Sequence, residues 1–184
     1  MLDILLEFDK SILLFINQST SNPLFDYVMP LFHKPRNWIP FILFIWIYLS
    51  IKDPKNRFKL LILLPITILF CDQIGGSIKD FILRPRPFSD SSLTALKLLV
   101  EKGGAPYKSF PSNHAFNISG VSFLFSNIYP NYKKYFWCFA IVIMYSRIYI
   151  GVHYPLDVFC GCIFGILISF IIIKLWEKLC LPRL

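Results

Sequence analysis

Residues 155–175 read PLDVFCGCIFGILISFIIIKL, with no charged side chain between Val158 and Ile173. An apolar segment of about 20 residues is typical of a helix that crosses a lipid bilayer. The composition agrees, because 55% of the 184 residues are hydrophobic and only 16% are charged. So small a soluble domain has too little interior to bury that much apolar surface. The sequence therefore predicts an integral membrane protein and excludes a disordered chain.

Hydrophobic segments elsewhere in the chain complete a set of five predicted spans. None shows the two-residue alternation of a strand, so each is expected to be an α-helix. No low-complexity linker divides the sequence, and we therefore expect one domain over residues 1–184, an all-α, polytopic membrane bundle. The spans are predicted near residues 37–52, 58–83, 113–130, 134–150 and 155–175.

The first 35 residues look different, because charged side chains interrupt their apolar positions. Four charged residues fall among the leucines and isoleucines of residues 1–17. This mixture predicts an amphipathic helix lying on the membrane surface, followed by a second such segment at about 22–33. The alternative for residues 1–17 is a sixth span. A signal peptide is not expected, because the start is acidic and no small-residue cleavage site follows.

Basic residues outnumber acidic ones, with 19 Lys and Arg against 11 Asp and Glu and a net charge of +8. Nine of the basic residues lie in short loops on the side of the bundle where the first and second spans are joined. The positive-inside rule counts such loops most strongly, so this side is predicted to be cytoplasmic, in a cell (inner) membrane. The nine are Lys52, Lys55, Arg57, Lys59, Lys133, Lys134, Lys174, Lys178 and Arg183.

Three groups of polar residues lie at the other ends of the spans. Span two ends, span three begins, span four ends and span five begins on one side of the membrane, so the groups meet at one face. An ionisable residue inside a span is costly and by default indicates a functional site. We expect this face to be periplasmic or extracellular. The groups are Lys79 with Arg84 and Arg86, Pro111-Ser112-Asn113-His114, and Ser146-Arg147 with His153 and Asp157.

The cations of these groups suit a phosphate. Lys79, Arg86 and Arg147 offer positive charge and many N–H donors. Ser112 lies at a predicted helix N-terminus, where backbone amides also bind anions. The longest connection, residues 84–112, is predicted to be the active-site loop, with its leucines resting on the membrane. Read singly, however, Arg84 is better explained as a solvated loop charge.

The two histidines suit acid–base and nucleophilic chemistry. Asp157 follows His153 by one helical turn, so it can hold one ring nitrogen and leave the other free to attack. His114 can act as a general acid. The alternative is a metal site made of His114, His153 and Asp157, but no thiolate or carboxylate set completes it. We therefore expect no metal and no cofactor, and assign His33 to ordinary helix packing.

The ordered set of motifs resembles the type-2 phosphatidic acid phosphatase superfamily, which also contains vanadium-dependent haloperoxidases. Its three signatures are K-x6-R-P, P-S-G-H and S-R-x5-H-x3-D. One short motif would be weak evidence, whereas three in the right order and spacing are specific. Here they read Lys79 to Arg86-Pro87, Pro111-Ser112-Asn113-His114, and Ser146-Arg147 to His153 and Asp157.

The resemblance implies a mechanism without a metal ion. His153 would be the nucleophile and form a phosphohistidine, and Asp157 would orient it. His114 would protonate the leaving group and then deprotonate the hydrolytic water. The phosphate would be bound by Lys79, Arg86, Ser112, Asn113 and Arg147.

Asn113 departs from the family pattern, since it stands where the signature has Gly. In the family the backbone N–H at this position faces the phosphate, and Asn tolerates unusual dihedral angles better than most residues. The N–H role can therefore survive, while the side chain adds a contact or narrows the site. A second departure is the N-terminus, where membrane-lying helices replace the first span of six-span members.

The predicted substrate is a lipid phosphate monoester or diphosphate, because the site lies where a headgroup sits while its chains stay in the bilayer. The resemblance suggests phosphatidylglycerophosphate, undecaprenyl diphosphate or the 1-phosphate of lipid A. Two alternatives stay open: a lipid phosphotransferase, and a binding or transport protein that does not catalyse. The expected partners are the lipid substrate and the bilayer, with no nucleic acid and no obligate protein partner.

Overall fold

The structure is a computed structural model that describes residues 2–34, 39–102 and 104–180. Within these ranges the chain is helical and forms no strand, which confirms the all-α prediction. The α-helices are α1 (Leu2–Leu14), α2 (Pro23–Val28), α3 (Ile39–Lys52), α4 (Arg57–Ile82), α5 (Asn113–Ile128), α6 (Lys133–Tyr149) and α7 (Pro155–Cys180).

Two segments, Arg57–Ser89 and Pro155–Leu179, are by length and composition able to cross a membrane. They contain α4 and α7, the second and fifth predicted spans. A shorter apolar helix, Ile42–Lys52, covers most of α3, and residues 35–38, where the first predicted span begins, lie outside the described ranges. Helices α5 and α6 match the third and fourth predicted spans to within two residues. Membrane crossing by all five helices stays a prediction.

Helix α5 lies at the centre of the bundle and touches α4, α6 and α7. Its close approach to α7 depends on two glycines. A Cβ added to Gly165 would lie 2.2 Å from the Phe116 carbonyl oxygen, and one added to Gly161 would lie 2.7 Å from that of Ser112. Small residues let two membrane helices pack backbone against backbone in this way. The second contact places the first turn of α7 beside the start of α5.

Helix α1 packs on the bundle through a mixed face. Asp9, Leu13 and Asn17, spaced four residues apart, are buried, whereas Ile4 and Phe8 are exposed. Asn17 donates hydrogen bonds from Nδ2 to the carbonyl oxygens of Lys97 and Tyr149, both at 2.7 Å. The buried face therefore carries polar groups that find partners in the bundle, while the exposed positions carry apolar residues together with the acids Asp3 and Glu7.

The 84–112 connection is folded back on itself, and part of it packs against α1. The Ser109 amide donates to the Arg84 carbonyl at 2.9 Å, and the Arg86 amide donates to the Pro106 carbonyl at 2.7 Å. Leu93 is 8% exposed and packs with Leu13 in one apolar cluster. The expectation that these leucines rest on the membrane is therefore wrong for Leu93, because α1 covers it.

Candidate active site

His153 lies in the short turn between α6 and α7, facing a cation on one side and a carboxylate on the other. Its Nε2 is 3.4 Å from Arg86 Nη1, and its Nδ1 is 3.4 Å from Asp157 Oδ2. The imidazole is buried. Burial lowers the pKa of His153 to about 4, and the charges of Arg86 and Lys79 add to this effect, while Asp157 opposes it. The ring is therefore neutral near pH 7.

Asp157, in the first turn of α7, is completely buried and bonded through both oxygens. Its Oδ2 accepts hydrogen bonds from Ser109 Oγ at 2.6 Å and from the Tyr154 amide at 3.0 Å. Its Oδ1 accepts one from Arg84 Nη1 at 2.6 Å. These bonds hold the carboxylate in place beside His153. They also supply the hydrogen-bond partners that a buried charge requires.

Lys79 braces the loop that leads into α5. Its ammonium group donates to the carbonyl oxygens of Lys108 and Ser109, both at 3.2 Å, and to that of Pro111. An ammonium has three N–H donors, so all three are used by the backbone here. Lys79 thus brings positive charge to the site while it shapes the turn before Ser112.

The two site arginines are anchored differently. Arg86 donates from Nε to the Ala105 carbonyl at 3.2 Å and from Nη1 to the Val152 carbonyl at 3.3 Å. Arg147 is completely buried, and its Nε and Nη2 donate to Ser146 Oγ at 3.1 and 3.0 Å. Arg147 also supports the turn that carries His153, because its carbonyl oxygen accepts the His153 amide at 3.3 Å.

The start of α5 presents unpaired polar groups. Ser112 Oγ is buried and has no hydrogen-bond partner within the described ranges, and the same holds for His114 Nε2. The Ser112 amide donates to the Asp157 carbonyl at 3.0 Å, which fastens α5 to α7. Asn113 turns its side chain to the neighbouring helix, where Nδ2 donates to Asp72 Oδ1 at 3.1 Å. A hydroxyl and a ring nitrogen are thereby left free for a ligand.

Comparison with known protein families identifies the family to which the chain belongs. A sequence model of the PAP2 superfamily matches residues 59–179, which contain every signature residue. The chain belongs to the PAP2 superfamily. The resemblance inferred from the motifs is thus confirmed.

Other PAP2 proteins show how far the similarity extends. A lipid A 4'-phosphatase of Bacteroides thetaiotaomicron is 30% identical over 90% of this chain and 75% of its own length. An undecaprenyl-diphosphatase of Sulfolobus acidocaldarius is 31% identical over 75% of this chain and 63% of its own. Among solved structures, LpxE of Aquifex aeolicus has a TM-score of 0.73 and 28% identity, covering 89% of this chain and 93% of that one.

Two residues of this PAP2 site were missed by the sequence reading. Arg84, interpreted as a solvated loop charge, is instead largely buried and donates to Asp157 and to Asp9 Oδ2, each at 2.6 Å. Its guanidinium also lies 4.2 Å from the centre of the Tyr154 ring. Asp9 is 1% exposed and accepts the Leu156 amide at 2.8 Å. The burial of Asp9 could have been predicted from its four-residue spacing with Leu13 and Asn17, which places the three side chains on one face of a helix.

The structure also changes the interpretation of His33. Its Nδ1 is 3.5 Å from Arg147 Nη1, and its backbone is hydrogen-bonded to the His114 ring. Burial, followed by the charge of Arg147, lowers the pKa of His33. His33 therefore belongs to the surroundings of the site, not to a separate helix contact. Within the described ranges, no group of three His, Cys, Asp or Glu side chains is placed to hold a metal ion.

Proposed function

We propose that this protein hydrolyses a phosphate ester of a membrane lipid, with His153 as the nucleophile. The observation that carries the proposal is the placement of His153, buried and neutral between Asp157 and Arg86. The Asp157 carboxylate, 3.4 Å from Nδ1, would keep the ring proton on that nitrogen and leave the lone pair of Nε2 for attack. Arg86, beside that nitrogen, would hold the phosphate against it.

The first chemical step transfers the phosphoryl group to the enzyme. His153 Nε2 attacks phosphorus and forms an N–P bond, while the bond between phosphorus and the leaving oxygen breaks. His114 would take up a proton when the phosphate dianion binds beside it, and would donate that proton to the leaving oxygen, so that the lipid leaves as an alcohol or, from a diphosphate, as a monophosphate. Asp157 stabilises the positive charge that develops on His153.

The second step releases phosphate. His114, now without its proton, takes one from a water molecule whose oxygen attacks phosphorus. The N–P bond breaks, inorganic phosphate leaves, and His153 returns to its neutral form. Arg86, Arg147 and Lys79 supply positive charge to the phosphoryl oxygens in both steps. Ser112 Oγ, which is buried and unpaired in the described chain, would donate to one of those oxygens.

The substrate class follows from where the site lies on the helices. The ends of α4 and α6 and the starts of α5 and α7 carry it, so a headgroup would reach it while the lipid chains stay in the bilayer. The names of the two relatives support a lipid phosphate or diphosphate substrate. We propose phosphatidylglycerophosphate, undecaprenyl diphosphate or a phosphate of lipid A as the candidates.

The orientation rests on the basic loops opposite the site. We propose that residues 52–59 lie in the cytoplasm and that the site faces the periplasm or the cell exterior, because short loops rich in Lys and Arg stay inside. A reporter inserted at Lys55 is expected to be inaccessible from outside the cell. Labelling of that reporter from outside would overturn the orientation.

Phosphate release from a panel of lipid phosphates by the purified, detergent-solubilised protein tests the activity. We expect release without any acceptor lipid, insensitivity to a chelator, inhibition by vanadate, and complete loss in H153A. His33→Ala removes a half-buried histidine that contacts Arg147 but not the reacting atoms, and it should keep measurable turnover. Activity in H153A, or its loss with a chelator, would contradict the mechanism. Release only when an acceptor lipid is present would indicate a phosphotransferase.

A further inference from the structure

A carboxylate lies inside the membrane span α4, below the active site. Asp72 precedes Lys79 by seven residues, so it lies on the same side of the helix, about 10 Å further from the site end. Its side chain is exposed at the surface of the bundle. A charge at this depth facing hydrocarbon is costly, and such residues normally face a polar cavity or a ligand. Asp72 therefore requires a polar environment that apolar lipid chains do not supply.

Helix α5 provides part of that environment. Asn113 Nδ2 donates to Asp72 Oδ1 at 3.1 Å, and Asn117 Nδ2 approaches the same oxygen at 3.5 Å. Since a carboxylate only accepts hydrogen bonds, these contacts fix which end of each amide faces Asp72. We call Asp72, Asn113 and Asn117 the polar notch.

The polar notch has hydrogen-bond acceptors to spare. The Oδ1 atoms of Asn113 and Asn117 are buried and have no partner within the described ranges. The first is seated against Gly75, where an added Cβ would lie only 2.8 Å away. Asp72 Oδ2 also accepts no hydrogen bond from the described residues. Of these acceptors, Asp72 Oδ2 belongs to an exposed side chain and can be reached by a ligand. It suits a group that donates hydrogen bonds, such as a hydroxyl or an amide N–H.

The position of the polar notch indicates which part of a lipid substrate it would contact. Asp72 and Asn117 lie further along their helices from the site face than Lys79 and His114, so the portion of a lipid between its scissile phosphate and its chains would pass them. In a sugar phosphate lipid that portion is a ring with hydroxyl and amide groups. In a polyprenyl diphosphate it is a second phosphate, and in phosphatidylglycerophosphate it includes a phosphodiester. Asp72 would attract the first and repel the other two.

We propose that the polar notch is a specificity subsite that selects a lipid whose scissile phosphate is attached to a hydroxyl- or amide-bearing sugar. This inference rests on the proposed lipid phosphatase activity. Asp72, Asn113 and Asn117 are then specificity-determining residues, while the chemistry stays with His153. Because Asn113 immediately precedes His114, an occupied notch would also hold the start of α5 in place.

Steady-state kinetics on two lipids test the subsite: a diacylated glucosamine phosphate and a polyprenyl diphosphate. D72N keeps the size of the side chain and removes its charge. We expect kcat/KM for the glucosamine phosphate to fall about tenfold, the usual effect of losing a hydrogen bond to a charged acceptor. We expect kcat/KM for the diphosphate to stay the same or rise. N117L, which removes the amide at similar volume, should likewise lower only the glucosamine phosphate value.

Asp80→Asn is the matched control, because Asp80 is an exposed acid on the same helix whose partner is Lys108. It should change neither value. A D72N enzyme in which both substrates lose activity equally, or in which only the diphosphate suffers, would overturn the subsite. If D72N does not fold, N117L alone decides by the same criterion. Wild-type protein that releases phosphate from the diphosphate but not from the glucosamine phosphate would overturn the subsite alone. Release from neither lipid, and none from phosphatidylglycerophosphate, would instead overturn the proposed function, and the subsite with it.

Discussion

The Arg84 guanidinium donates a 2.6 Å hydrogen bond to Asp157, the carboxylate that faces His153. The other end of the same guanidinium donates to Asp9 in α1, again at 2.6 Å. Through this link, a helix that precedes all three signature motifs contacts Asp157 by way of one side chain. We infer that α1 is part of the active-site structure and that Asp9 is a positioning residue.

Asp9→Asn should damage turnover more than substrate binding. The substitution weakens a buried, charged hydrogen bond, which contributes about 2 kcal/mol, and lets Arg84 shift relative to Asp157. We expect kcat to fall about tenfold with KM changed less than twofold, and a lower melting temperature. Asp3→Asn, an exposed acid on the same helix, is the control and should behave as wild type. Loss of stability with kcat unchanged would show that Asp9 is merely structural.

The residues proposed to carry out the chemistry could be predicted from the sequence, whereas several residues that support them could not. His153, Asp157 and Arg147 could be predicted to lie together because their spacing is local and one turn between two helices joins them. The roles of Asp9 and Asp72 could not be predicted, since they depend on which helices pack together. Arg84 looked like a loop charge because its partners are not its sequence neighbours Asp80 and Asp90 but two acids that lie 73 and 75 residues away.

The pH dependence of kcat/KM should report the titration of His153. Attack requires the neutral ring, and its pKa in the free enzyme is about 4, so activity should fall as the pH drops through that region. The charge of Arg86 helps to lower this pKa, so Arg86→Gln should raise it and move the acid limb to higher pH. Ionisation of the substrate phosphate is common to both enzymes and cancels in the comparison. An acid limb that moves to lower pH in the variant would contradict this assignment.

Two buried serines of the α5 region should separate binding from stability. Ser112 Oγ has no partner in the described chain, so Ser112→Ala removes only a contact to the phosphate. We expect kcat/KM to fall about tenfold, with little change in melting temperature. Ser119 Oγ bonds the carbonyl oxygens of Ala115 and Cys162, so Ser119→Ala should lower the melting temperature and leave kcat/KM near the wild-type value. The reverse pattern would remove Ser112 from the site.

Close packing of α5 against α7 should make Gly165→Ala strongly destabilising. The added Cβ would lie 2.2 Å from both the Phe116 carbonyl oxygen and Ser119 Oγ. Backbone atoms cannot yield locally, so the two helices must separate, at a cost of about 1–3 kcal/mol. Gly76→Ala is the control, because a Cβ there meets nothing within 4 Å, and alanine favours a helix over glycine by about 1 kcal/mol.

The same separation should reach the chemistry. The α5–α7 contact carries the hydrogen bond from the Ser112 amide to the Asp157 carbonyl, so pushing the helices apart moves a phosphate ligand relative to the carboxylate behind His153. Gly165→Ala should therefore lose kcat as well as thermal stability in detergent, whereas Gly76→Ala should gain stability and keep kcat. Equal melting temperatures for the two alanine variants would show that the α5–α7 contact is looser than the structure places it.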